Sequence, residues 1–380
     1  MERTTLEMAE AISRAGGLAL VASAGGRLEP DLKTAGGELI KLPVQTKNPL
    51  TAIANAWKLF TLAKKRGVDV IHARSRAPAW SAFIAARLAG IPFVTTFHGI
   101  YNARSSLKRF YNSIMARGDA VIANSEYTRE HILEFYDVDP KHITAIPRGV
   151  DLNVFDREKV SPNEVAITRS DWGLGTKSDA RLVIIAPARL TRWKGQLVLI
   201  EAVKMIEARR PGALKVILAG DPQGRLGYVN ELNAAINAAG LQEVVALVGH
   251  VRQMPTAFAA SDIAVFPVIE AEAFGRGAVE SQAMGVPVIA TNLGGYTETI
   301  VEGETGFLVP PNAPQALAGA IERMIDIGPS ARATMGAMGR DRVRAQYSKT
   351  ALQKATLAVY ERVLREAKAH RNVTKHETVL

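Results

Sequence analysis

Glu272 and Glu280 stand eight residues apart, with Phe274-Gly275 between them and a run of small residues behind them. The apolar run Ile263 to Pro267 reads as a buried strand end, and Ala278 to Met284 has helical spacing. The pattern therefore predicts a strand–loop–helix turn, whose backbone N–H groups and positive helix end suit a phosphate. Carboxylates beside such a cradle are poor phosphate ligands and good acceptors for sugar hydroxyls. A surface loop followed by a helix with a solvated Glu is the plainer account of the same spacing.

Four other strand ends carry chemistry of the same kind. Arg189 and Lys194 bracket a turn before Gly195, where a helix should open. Two fixed cations beside a helix N-terminus make a diphosphate clamp, which would stabilise a departing nucleoside diphosphate; solvated loop charge is the alternative. His98 closes the apolar run Phe93 to Phe97 and precedes Gly99. A lone His is as readily structural, but at a strand end its imidazole can donate to a sugar hydroxyl or a leaving phosphate. Gly249-His250-Val251 could set backbone groups against a flat base, and Gly294-Gly295 supplies a further turn of N–H groups. Arg276 is peculiar, because a cation in the first turn of a helix opposes its dipole. An anionic ligand, the donor diphosphate or an acidic acceptor, is expected to compensate it.

Other patterns carry no function. Asp137-Val138-Asp139 precedes Pro140 and reads as capping rather than metal binding, and Gly173 to Ser178 lacks the Gly that a P-loop needs before Lys177. Asn372-Val373-Thr374 is a glycosylation acceptor on paper only. No His/Asp/Glu cluster has metal spacing, so no metal is expected.

The elements that position these residues alternate strand and helix. A helix from near residue 1 to Ala15 leads into a strand at 18–22, then strands at 39–42, 69–73, 93–97, 120–123 and 143–146 enclose helices at 49–66, 78–89, 106–116 and 126–135. Residues 152–180 are charged and read as a linker. A second alternation follows, with strands near 182–186, 215–219, 244–248, 263–266, 288–290 and 306–309. Such runs predict an α/β protein of two doubly wound parallel sheets, residues 1–160 and 161–350, facing each other across a cleft. A helix over about 351–369 should pack back onto the first domain, with a frayed tail from His370.

The 380 residues are 47% hydrophobic and 22% charged, and they include no cysteine, which excludes disulfides and a Cys nucleophile. No signal-peptide region or membrane-spanning run is evident, so a cytoplasmic protein is expected. Lys+Arg 47 against Asp+Glu 37 gives a net +10, which suits an anionic membrane surface or substrate, or plain solubility. Without aromatic-interleaved basic tracts, nucleic acid is not an expected partner.

Taken together these residues resemble the group 1 glycosyltransferases, family 4 in carbohydrate-enzyme classification, which have the GT-B fold. The resemblance rests on Glu272-Ala273-Phe274-Gly275 through Glu280 and on Ala283 to Ala290. Ala188-Arg189-Leu190 with Lys194-Gly195, Phe97-His98-Gly99, Ala123 to Glu126 and Ile146 to Asp151 support it. It implies sugar transfer from a nucleotide-diphosphate donor with retention of anomeric configuration. Arg189, Lys194 and the Phe274 and Gly275 amides would hold the diphosphate, Glu280 the ribose, Glu272 the donor sugar, and His98 would lie near the reacting carbon. The family further implies a glycan or lipid-linked acceptor in lipopolysaccharide or surface polysaccharide synthesis, peripheral contact with the inner membrane face, and no cofactor. A nucleotide-sugar epimerase of the same fold, or a non-catalytic nucleotide-sugar binder, is the alternative. One departure stands out: the family opens with a strand and a Gly-Gly-x-Glu-Arg loop, and here Met1 occupies the x before Glu2-Arg3. About a dozen residues forming that strand and turn are expected to be missing, which would expose the neighbouring strands.

Overall fold

The computed structural model describes residues 2–101, 105–175 and 180–377, with side chains as far as residue 370. The chain divides into two compact units, Met1–Arg148 with Lys349–Leu380, and Gly149–Ser348. The first break falls before the expected 160, because Val150 and Phe155 are buried in the second unit's core and Val150 N–H donates to the Tyr347 carbonyl at 2.7 Å.

The first unit runs α1 (Glu2–Arg14), β1 (Ala19–Ser23), α2 (Glu29–Thr34), β2 (Gly37–Lys41), α3 (Pro49–Arg66), β3 (Ile71–Ala73), α4 (Arg76–Ala89), β4 (Phe93–Phe97), α5 (Ser106–Ser113), β5 (Ala120–Ala123), α6 (Glu126–Phe135) and β6 (Ile143–Ala145). Local chemistry sets the helix starts. Asn48 accepts hydrogen bonds from the Leu50 and Thr51 amides ahead of α3, with Pro49 at its first position, and Ser125 accepts from Thr128 N–H ahead of α6. The expected single sheet is in two parallel pieces, β1-β2 and β3-β4-β5-β6. β4 and β5 are wholly buried, whereas β1 and β3 are only partly covered.

The second unit runs α7 (Pro162–Asp171), β7 (Leu182–Pro187), α8 (Gln196–Arg209), β8 (Leu214–Ala219), α9 (Leu226–Ala238), β9 (Val245–Gly249), α10 (Met254–Ala259), β10 (Ile263–Phe266), α11 (Arg276–Ala283), β11 (Val288–Thr291), α12 (Tyr296–Thr299), β12 (Gly306–Val309), α13 (Pro314–Asp326) and α14 (Gly328–Gln346). Its six parallel strands lie in the order β12-β11-β10-β7-β8-β9. β7 shows why a run apolar at every position is a strand buried on both faces. Leu182, Ile184 and Ala186 join one core, Val183 and Ile185 the other. The supposed linker holds α7, and Trp172 and Leu174 just beyond it anchor that helix in the core. The residues Thr176 to Ser178 of the dismissed P-loop pattern lie outside the described ones.

The chain then returns to the first unit as α15 (Lys349–Glu377), longer than the expected helix and unbroken at His370. Leu352, Val359 and Val363 share one helical face and are buried with Val94 and Ile122 of the sheet. Each such burial stabilises the unit by roughly 1.5–3 kcal/mol. Among the described residues no helix is long and apolar enough to cross a membrane.

Candidate functional site

In the second unit the strand order reverses between β7 and β10. β8 and β9 build outwards from β7 on one side, and the chain then returns to place β10 on the other. Loops leaving the carboxyl ends of two such strands diverge and open a crevice, the place where open parallel sheets hold ligands. Lys194 follows β7 and Glu272 follows β10, so the two residues flank that crevice.

The two loops are bound together. Lys194 is buried, and its Nζ donates to Glu272 Oε1 at 2.9 Å and Oε2 at 2.8 Å. Ile269 N–H donates to the Trp193 carbonyl at 2.9 Å. Gly195 lies at φ +73°, and a Cβ there would overlap the Pro267 carbonyl oxygen. Only glycine lets the two loops approach so closely.

Tyr296, fully buried at the start of α12, donates its hydroxyl to Glu272 Oε2 at 2.7 Å, so one carboxylate is held from two directions. Burial and the Glu272 charge hold the Tyr296 phenol well above its ordinary range, so it stays a donor. Gly295 N–H reaches the Glu272 carbonyl at 2.7 Å and ties in the loop after β11. Gly275 caps α11 at φ +78°, where a Cβ would lie 2.5 Å from the Tyr296 ring. The sequence did not single out Tyr296; its signal was its place directly behind Gly294-Gly295.

Arg276, expected to face an anionic ligand, has a countercharge within α11 as well, where its Nε donates to Glu280 Oε1 at 2.7 Å, one turn on. Arg276 thereby fixes Glu280, which the sequence had assigned without a partner. Arg189 is exposed, with its guanidinium 5.9 Å from the Trp193 ring that Lys194 also overlies at 4.2 Å. Phe274 is buried behind the mouth of α11. Gly249, His250 and Val251 stand at the carboxyl end of β9, the edge strand two places from β7. The structure therefore brings Lys194, Glu272, Phe274, Gly275 and Tyr296 together, seats Arg276 and Glu280 on the adjoining helix, and sets the β9 residues apart.

His98 belongs to the first unit, at the end of β4. Both its imidazole nitrogens are sealed from solvent with no hydrogen-bond partner among the described residues. They border a cavity of about 10 Å³, also lined by Arg74, Thr96, Asn124 and Arg148, which is room for one water. Burial, then the charges of Arg74 and Arg148, keep the imidazole pKa well below its ordinary value, so it is neutral at pH 7. Its neighbour His72 is held between Tyr360 of α15 (2.6 Å) and Thr96 (2.7 Å), and burial lowers its pKa in the same direction. Arg74 and Arg148 carried no sequence assignment; only the folded sheet brings them beside His98.

Two family models match the chain: one described as glycosyl transferases group 1 over residues 174–342, one as Glycosyltransferase Family 4 over residues 1–154. A crystallised glycosyltransferase from Rickettsia africae ESF-5 is 34% identical, with a TM-score of 0.88 covering 96% of this chain and 94% of that one. Anabaena HepE in complex with UDP is 25% identical, with a TM-score of 0.81 covering 95% of each chain. The D-inositol 3-phosphate glycosyltransferase of Corynebacterium glutamicum (strain R) is 28% identical over 349 residues, 88% of this chain and 79% of that relative.

Proposed function

This chain belongs to the group 1 glycosyltransferases of family 4, and we propose that it moves a sugar from a uridine diphosphate donor to a lipid-linked glycan acceptor, with retention, in surface polysaccharide or lipopolysaccharide synthesis. The observation that carries the reading is Lys194, Glu272 and Tyr296 joined at the point where the strand order reverses, beside the N-terminus of α11. The uridine part is supported by the complexes of Anabaena HepE with UDP and with UDP-glucose.

In this reading the donor diphosphate lies between Arg189, Lys194 and the Phe274 and Gly275 amides at the helix mouth. Glu280, oriented by Arg276, accepts from the ribose hydroxyls, and Glu272 accepts from the sugar. The base lies against Gly249, His250 and Val251. The bond from the anomeric carbon to the diphosphate oxygen breaks, and the acceptor oxygen bonds that carbon on the same face. The departing phosphate oxygen takes the acceptor proton. Preorganised cations at the leaving group are worth on the order of 10²–10³ in rate each. Arg189 and Lys194 supply that charge, so turnover is expected to survive chelators. The enzyme would act from the cytoplasm at the inner membrane face.

A second acceptor class, a soluble phosphorylated polyol, is suggested by the name of the Corynebacterium relative. Offering UDP- and GDP-sugars with a lipid-linked glycan and with inositol 3-phosphate, and reading the product by NMR, tests the proposal. An α-linked product from an α-linked UDP-sugar is expected. An inverted product would overturn the mechanism, and isomerised donor without acceptor would indicate an epimerase.

A further inference from the structure

We propose that the outer face of α3, α4 and α5 is a docking surface for an anionic phospholipid bilayer. The three helices lie side by side. Ser81 of α4 donates to the Ala52 carbonyl of α3 at 2.8 Å, and the Trp80 indole donates to the Tyr111 carbonyl of α5 at 3.3 Å. Their inner residues, such as Ala79 and Ala82, fill the core over β4.

Their outer residues are not those of an ordinary wetted surface. Along α3, Leu50, Ile53 and Trp57 share one helical face and are 77%, 61% and 63% exposed. α5 adds Leu107 and Phe110, and α4 adds Ile84 and Leu88. Of the fourteen large apolar side chains exposed among the described residues, these three helices hold seven. Clustering of that kind marks an interaction site, whereas scattered single residues do not.

Charge identifies the partner. The three helices contain eight Lys or Arg and no acid. Arg66 and Arg87 are paired with Glu38 and Asp119 of neighbouring segments, which leaves the charge of this face to its lysines and Arg109. Lys58 and Lys65 on α3 and Lys108 and Arg109 on α5 are exposed beside the apolar side chains. Tryptophan and aliphatic residues flanked by Lys and Arg match the boundary between acyl chains and anionic headgroups. A polyanion such as nucleic acid would use the charge and leave the apolar residues unexplained. The inference rests on the lipid-linked acceptor proposed above for its purpose, and on this surface for its existence.

Flotation of the full chain with phosphatidylcholine vesicles, with and without phosphatidylglycerol, tests it. Binding to the anionic vesicles alone is expected, falling with added salt. Lys58→Ala with Lys108→Ala should weaken partitioning about 25-fold, at about fivefold per charge. Leu50→Ser with Trp57→Ser should abolish it while UDP still raises the thermal midpoint. Wild-type protein that ignores anionic vesicles overturns the proposal whether or not the variants fold. So does undiminished binding by both variants, or a self-association that Leu50→Ser with Trp57→Ser dissolves. Sugar transfer to a soluble acceptor without vesicle binding sinks this inference alone; vesicle binding without transfer to any acceptor sinks the proposed reaction alone.

Discussion

Lys194 serves two partners in this account. Its ammonium has three donors, and two of them reach Glu272, so a bound diphosphate must take the third and share the charge. Glu272 in turn cannot swing away, because Tyr296 holds its other side. The residue types of this set and their spacing were legible in the sequence. Their pairing was not: Lys194 and Glu272 are 78 positions apart and meet only because β10 returns beside β7. The pair of Arg276 with Glu280 is different, for the two are i,i+4 neighbours on one helix and lay within reach of the sequence. The histidines of the first unit give a test at this scale. His72 and His98 are both held neutral by burial, with Arg74 and, at His98, Arg148 adding to the effect. The unfolded chain takes up their protons first, near pH 6.5. Their contribution to stability is therefore complete above that pH and is lost as pH falls towards the folded-state values. Thermal midpoints measured from pH 7.5 down to pH 5 should fall less steeply for His98→Asn than for the wild type. Equal slopes would show that His98 is not held neutral.

Elements with strong punctuation were readable from sequence. α3 and α6 have the expected limits because Asn48 and Ser125 cap them and the strands beyond them are apolar throughout. α7 was missed because none of its residues is fully buried; Val165 packs on the core in part, and Trp172 and Leu174 behind the helix are its buried anchors. The divided sheet of the first unit was not foreseen either, since alternation reveals strands and not their partners. The crossing of the β7 and β10 loops depends on Gly195, which needs both its left-handed backbone and its missing Cβ. Gly195→Ala should destabilise the second unit by about 1–3 kcal/mol, read by urea unfolding, and should weaken UDP binding with it. Unchanged stability would mean that the loops can part without cost.

The chain divides into two compact units, each with its own buried clusters, so its thermal unfolding should show two transitions. UDP at about 100 times its dissociation constant should stabilise the second unit by roughly 2.7 kcal/mol and move the first transition less. Two alternating βα units were legible along the whole chain because buried parallel strands are apolar at every position. The return of α15 followed from its helical periodicity; the loop pairings at the strand ends needed the fold. The central claim is that the crevice between β7 and β10 grips a nucleoside diphosphate through Lys194 and Arg189. Calorimetric titration of UDP into the wild type, Lys194→Ala and Arg189→Ala tests it most directly. The account predicts saturable binding by the wild type and a loss of about 10- to 100-fold in Lys194→Ala, as for a hydrogen bond to a charged group. Wild-type protein that binds neither UDP nor GDP, or a Lys194→Ala variant that binds as tightly as the wild type, would contradict it.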